Sequence, residues 1–378
     1  MEMMLKKVTI IIIVLLVVAG CLPKPEPRTG DFNAVVIDSL TGEGVSGVDI
    51  QIGENEYDTD LKGQFSLAGL PPGDYQICIS REWYESKMVT YKHLGKPEPV
   101  TFFLEPASFT GRIYYSYDEG QDKEIYELIL ENRTVNKVLS LPESGETNPA
   151  WSESQIFAVE SISGKVSKIK VYDFTMGNYN PILFQDSIFG EHPSLDSRGI
   201  TMALKSNGKI IKYDLNNNKE IKSFDLAGWN PVISPNGTMV AYVSGNYTKL
   251  YIYTNESEFD EFIPKPGFKI NNPCWSPDGE KIAFEAYENS EEERAIYWIA
   301  VDSLDSGMYQ VTFPSGNEEQ HKHPTWGEND MIYFSGNIVY SSRSDIYAVK
   351  FYDKELESNP WIMVSKGSGN KLYPCWGK

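Results

Sequence analysis

Short apolar runs with a two-residue period, rather than helical ones, organise most of this chain. Between Phe32 and Pro106 they recur as Ala34-Val35-Val36-Ile37, Val48-Asp49-Ile50-Gln51-Ile52, Gln64-Phe65-Ser66-Leu67, Tyr75-Gln76-Ile77-Cys78-Ile79 and Val100-Thr101-Phe102-Phe103-Leu104. Alternation of this kind marks strands with one buried face. Thr41-Gly42, Lys62-Gly63 and Pro71-Pro72-Gly73 separate the runs with turn chemistry. Residues 31–106 therefore predict a small β-sandwich.

Beyond it, over 109–378, a motif repeats. Its fullest copy runs from Asn272 to Phe284, Asn-Pro-Cys-Trp-Ser-Pro-Asp-Gly-Glu-Lys-Ile-Ala-Phe. The prolines that mark the copies are Pro149, Pro193, Pro231, Pro273, Pro324 and Pro374, at spacings of 44, 38, 42, 51 and 50 residues. One four-stranded propeller blade takes ~40–50 residues. A second strand follows each early copy, with a small middle residue in Phe157-Ala158-Val159, Met202-Ala203-Leu204, Val240-Ala241-Tyr242 and Ile282-Ala283-Phe284. Both faces of such a strand are apolar, as a sheet packed between two neighbours requires. Residues 111–142 supply three strands without a motif, and the last motif arrives as the chain stops. The expectation is an all-β chain, a small β-sandwich followed by a six-bladed β-propeller closed by the C-terminal strand. Trp151, Trp275, Trp326 and Trp376 are expected to pack between blades first and to meet ligands second.

The N-terminus changes the picture. Lys6 and Lys7 precede an apolar run from Val8 to Ala19, then Gly20 and Cys21. That is an export signal, too short for a membrane-spanning helix of ~20 residues. Residues 1–20 are read as a signal peptide and 21–30, with three prolines after Cys21, as a stiff spacer. Lys+Arg is 34 against Asp+Glu 53, a formal charge of −19. Such a surface repels phosphate backbones, so no nucleic-acid partner is expected.

Two resemblances follow from these residues, and a third from the signal. Val18-Ala19-Gly20-Cys21 resembles the lipobox of prokaryotic lipoproteins, with Val18 in place of the usual Leu. It implies lipid attachment at Cys21 and an extracytoplasmic chain held at the cell membrane, on the cell surface or in the periplasm. Asp38 to Gly42, Val45 to Val48, Thr59 to Phe65 and Leu70 to Tyr75 resemble the carboxypeptidase-regulatory-like (transthyretin-like) family, which implies a non-catalytic spacer or docking module. The Pro-x-Trp-Ser-Pro-Asp-Gly core with its following Ile-Ala-Phe resembles the TolB-like six-bladed propellers. That resemblance implies a protein-binding scaffold. The Tol-system role is not carried over, because a sandwich stands where TolB has an α/β domain.

Candidate chemistry is sparse. No GxSxG motif occurs, and no α/β-hydrolase domain follows the propeller, unlike in prolyl oligopeptidases and dipeptidyl peptidases. No catalytic residue and no cofactor is expected. Cys78, Cys274 and Cys375 form no CxxC pair and read as small buried apolar groups. Asp58 and Asp60 read as turn caps in preference to a calcium pair. Glu288 and Glu291 to Glu293 read as solvated faces, and Asn132, Asn236, Asn246 and Asn255 open Asn-x-Ser/Thr sites. The sharpest metal candidate is Glu318 with His321 and His323. On an extended strand residues i and i+2 face one side, so both imidazoles could hold one metal. Oligogalacturonate lyases use a similar His-x-His with a further His from another blade. Here His192 lies across the ring, and Asn and His alternate before the proline at 148, 192, 230, 272 and 323, which reads as a structural polar position. The expected function is a lipid-anchored, non-catalytic scaffold for a protein or glycan. A metal-assisted lyase or hydrolase acting on acidic polysaccharide is the alternative.

Overall fold

The computed structural model describes residues 30–377 except 97, 119, 121–122, 142–143, 176–181, 255–257, 289–292, 316–318, 339–341, 355 and 358. The signal, Cys21 and Glu318 lie outside the described residues. No described helix is long and apolar enough to cross a membrane. Contacts divide the chain into two units, one ending at Leu104 and the other taking up at Glu105 and including Ser39–Gly42.

The first unit has two sheets around one core. Gly30–Asp38 pairs antiparallel with Gln64–Leu70 and parallel with Glu98–Leu104. The second sheet runs Asn55–Asp58, Asp49–Ile52, Gly73–Ser80, Lys87–His93. Phe32, Val36, Ile50, Ile77, Ile79 and Leu104 are fully buried between the sheets. Two strands, Asn55–Asp58 and Lys87–His93, were not in the apolar pattern. Both are edge strands, and most of their residues face solvent, so alternation is faint in them. Asp60 does cap its turn: its Oδ1 accepts the Lys62 and Gln64 N–H groups at 2.9 and 2.8 Å.

The described residues of the second unit form six four-stranded antiparallel sheets. Sheet two, Gly145–Trp151, Ile156–Ser163, Val166–Asp173 and Ile182–Phe189, sets the pattern. Sheets three to six follow it, with innermost strands Glu191–Leu195, Gly228–Ile233, Phe268–Trp275 and His321–Trp326. In sheet one the innermost strand is the last of the chain, Asn370–Gly377, paired antiparallel with Arg112–Asp118. It also touches the innermost strands of sheets two and six. Ala158, Ala203, Ala241 and Ala283 are fully buried, and apolar clusters join each of sheets two to five to its successor. The small middle residue of the second strand thus lets neighbouring sheets approach.

The motif's polar half is hairpin chemistry. Gly237 and Gly279 take φ values of +75° and +76°. Ahead of them, Ser234 and Ser276 Oγ accept the N–H groups of Met239 and Lys281, both at 2.9 Å, and donate to Asn236 and Asp278. The glycosylation-type residues Asn132, Asn236 and Asn246 likewise spend their side-chain oxygens on turn N–H groups.

Candidate functional site

The residue before each motif proline has a left-handed backbone. Asn148, His192, Asn230, Asn272, His323 and Tyr373 have φ between +44° and +52°. At each, pairing to the second strand slips by a bulge. Among non-glycine residues, Asn and His are enriched in this region of backbone space. The alternation of Asn and His therefore has a backbone cause, and Tyr373 is the exception. Bulges commonly re-aim side chains. Here all six residues line one cavity of about 110 Å³ between the innermost strands. A second cavity, about 270 Å³, is lined by five of the motif prolines, all but Pro231, with Trp151, Trp275, Trp326 and Trp376. The tryptophans also bridge sheets. The Trp275 Nε1–H donates to Val232 O of the preceding sheet at 3.3 Å, and Trp151 stacks on Tyr114 at 4.7 Å.

Two matching arrangements stand behind the small cavity. The Glu160 carboxylate accepts the Asn148 amide at 2.8 Å and the His192 backbone N–H at 3.1 Å. The Glu285 carboxylate accepts the His323 backbone N–H at 3.0 Å and pairs with Arg294 at 2.6 Å. Both acids are buried. Burial alone would raise the Glu285 carboxyl, but His323, Arg294 and the Asn272 amide together hold it below its ordinary value. Burial pushes the His323 imidazole down to about 4, against the pull of Glu285, and pushes His192 down as well. At neutral pH both rings are uncharged, and Arg294 is the charge that pairs Glu285. A polar residue in an otherwise apolar strand was the available signal: Glu160 and Glu285 both follow the Ala-x of the repeat.

The His-x-His expectation needs correcting. His323 has a φ of +51° and lies in the bulge, so the strand is not extended there and the i, i+2 rule fails. His321 is fully buried with its ring 4.9 Å from Phe334, and neither ring nitrogen has a hydrogen-bond partner among the described residues. Its Nε2 is 4.0 Å from Glu319, and burial pushes its pKa down to about 3. His323 instead places Nδ1 2.7 Å from Ser335 Oγ and its ring 4.1 Å from Tyr373. The residue that joins His323 at the cavity is His192, which the sequence placed out of reach across the ring. Among the described residues no group of three His, Cys, Asp or Glu is arranged to hold a metal. Cys274 and Cys375 line the larger cavity, and burial pushes the Cys375 thiol up to about 12 and Cys274 higher still.

No family model matches the chain, and no curated protein matches it. Among solved structures, TolB from Acinetobacter baumannii matches with a TM-score of 0.56 at 19% identity, over 72% of this chain and 67% of that one. A chain of a nidogen/laminin complex matches at 0.48, with 13% identity over 63% and 89%. An oligogalacturonate lyase in complex with manganese matches at 0.46, with 11% identity over 68% and 76%. After its N-terminal sandwich, then, the chain carries the β-propeller fold of the TolB-like proteins.

Proposed function

We propose that this chain is a lipoprotein anchored through Cys21 outside the cytoplasm, and that its propeller holds a protein or glycan partner at the axial cavities without catalysing a reaction. One observation carries the reading. Six side chains, two of them uncharged imidazoles, converge on one opening, while the acids behind them are engaged by backbone, amide or guanidinium groups. Concave sites lined by apolar groups with a few convergent polar ones suit binding. The alternative, metal-assisted cleavage of acidic polysaccharide, would draw on His192 and His323 rather than on the His321/His323 pair.

Photo-crosslinking on intact cells separates the two. A partner captured by the wild-type chain and lost in Asn148→Ala, Tyr373→Ala supports the scaffold. Manganese-dependent cleavage of polygalacturonate by the wild type, abolished by His323→Ala, would overturn it in favour of the enzyme.

A further inference from the structure

Two buried acids set which way the side chains of the small axial cavity turn. A carboxylate only accepts hydrogen bonds. Asn148 therefore gives its amide nitrogen to Glu160, and its Oδ1 is left on the other arm of the amide. Asn272 likewise donates its amide to Glu285, so its Oδ1 accepts. The Asn230 amide donates to that oxygen at 2.8 Å and also to Asn271 Oδ1. Both of its hydrogens are spent, and its own Oδ1 remains. Ser335 has one hydroxyl hydrogen, and it goes to Lys322 O at 3.3 Å. The 2.7 Å contact between Ser335 Oγ and His323 Nδ1 then puts the imidazole proton on Nδ1 and leaves Nε2 a bare acceptor. No hydrogen bond within the described residues reaches Asn148 Oδ1, Asn230 Oδ1 or His323 Nε2, and none of the three is a buried unpartnered atom, so each is open to solvent. All three residues line the cavity. The ring thus shows acceptors and spends its donors on the wall behind, while His192 and Tyr373 can each donate as well as accept.

The surrounding charge and apolar surface narrow the ligand. Glu160, 4% exposed, is met by an amide and a backbone N–H and by no cationic side chain among the described residues. Arg294 pairs with Glu285 and Lys205 with Glu191, and neither they nor Lys322 line the cavity. Pro149, Pro193, Pro273, Pro324 and Pro374 line both axial cavities, so an apolar collar adjoins the acceptor ring. A lysine side chain has the matching pattern: a methylene stem that buries well along apolar surface, and an ammonium that donates three hydrogen bonds and accepts none. We propose that the small axial cavity takes a lysine ammonium of a partner protein, which donates to Asn148 Oδ1, Asn230 Oδ1 and His323 Nε2 while its stem lies against the proline collar. This rests on the axial cavities being the binding site and names what they select. A carboxylate or phosphate has nothing to donate to this ring, and an amino sugar brings the ammonium without the apolar stem.

The test uses the full chain with ¹⁵N-labelled imidazoles, whose four histidines give few enough signals to follow one by one. Without ligand, His323 should show the Nδ1–H tautomer. Nα-acetyl-lysine methylamide should shift its Nε2 signal saturably. The norleucine analogue, which lacks the ammonium, and the Nε-trimethyl-lysine analogue, which lacks its N–H groups, should not, and glucosamine should bind more weakly than the lysine probe. Asn230→Ala removes one acceptor and should weaken the lysine probe at least about tenfold, the usual loss for one hydrogen bond to a charged group. Retention of the His323 tautomer in that variant shows that the ring is still built. An Nε2–H tautomer in the wild type, or analogues or glucosamine that shift His323 as much as lysine does, overturns the lysine socket and leaves a binding cavity standing. If no probe binds, the socket is overturned too, and crosslinking in Asn148→Ala, Tyr373→Ala decides separately whether the cavity holds a partner.

Discussion

A left-handed backbone before a proline is an unusual demand on a single residue, and this chain makes it six times. The strain is offset locally. Asn148 and Asn272 bind the buried carboxylates Glu160 and Glu285, and the Asn230 amide donates to Asn272 Oδ1 at 2.8 Å. His321 is the costlier group at this scale, fully buried with no hydrogen-bond partner for its ring among the described residues. Its folded pKa, about 3, lies below its ordinary 6.5. The unfolded chain therefore takes up this proton first as pH falls. The uncharged ring's contribution is complete above about pH 6.5 and is lost progressively towards about pH 3. His321→Leu should thus lose less stability than the wild type between pH 7 and pH 4, measured as urea midpoints. Parallel curves for the two proteins would count against this account.

Elements are tied together by few but buried polar links. Lys371, on the C-terminal strand, has its Nζ 2.9 Å from Asp345 of sheet six, and the two are 1% and 0% exposed. The same ammonium reaches Gly367 O and Gly369 O at 3.1 and 3.2 Å. Asp345 also takes Arg343 at 2.7 Å. Removing one partner of a buried pair typically costs ~3–5 kcal/mol, because the other charge is left uncompensated. Lys371→Met should therefore lower propeller stability in equilibrium unfolding, by less than that amount because Arg343 still pairs with Asp345. Asp345→Asn, added to it, should restore part of the loss. A second link is steric. A Cβ on Gly377 would come within 2.9 Å of both Trp151 and Tyr114. That explains why the last motif copy has Gly where the copies at Pro149, Pro231 and Pro273 have Ser.

For the whole molecule, the anchor proposed at Cys21 would decide where the two units work. A surface with a formal charge of −19 resists polyanions, so binding to acidic polysaccharide should be weak at low salt and weaker still without divalent cations. Cys21→Ser should move the exported chain from the membrane fraction to the soluble one, read by fractionation and by loss of metabolic acyl labelling. Retention in the membrane fraction would show that something besides the acyl group holds it. Much of the fold was legible at this scale, because a repeat multiplies its own signal. Six copies of one motif specify six similar sheets even where single copies are degraded, as at Pro193 and Pro374. The edge strands Asn55–Asp58 and Lys87–His93 had no such amplification and bury too little to stand out.

The sequence by itself determined the all-β class, the repeat with its four-stranded sheets, the turns of the Ser-Pro-Asp-Gly motif and the packing role of the tryptophans. Each of these is local, written in period-two burial or in the φ preferences of Gly, Pro and Asn. Only the tertiary structure decided what faces the axis. A bulge of one residue in each innermost strand re-aims the side chains there, and no spacing rule for an extended strand anticipates it. It separates His321 from His323, brings His323 and His192 to one cavity, and sets Glu160 and Glu285 behind them. Those contacts join residues some 30 to 130 positions apart, and their geometry depends on how the sheets pack around the axis, which the order of residues along one strand does not contain.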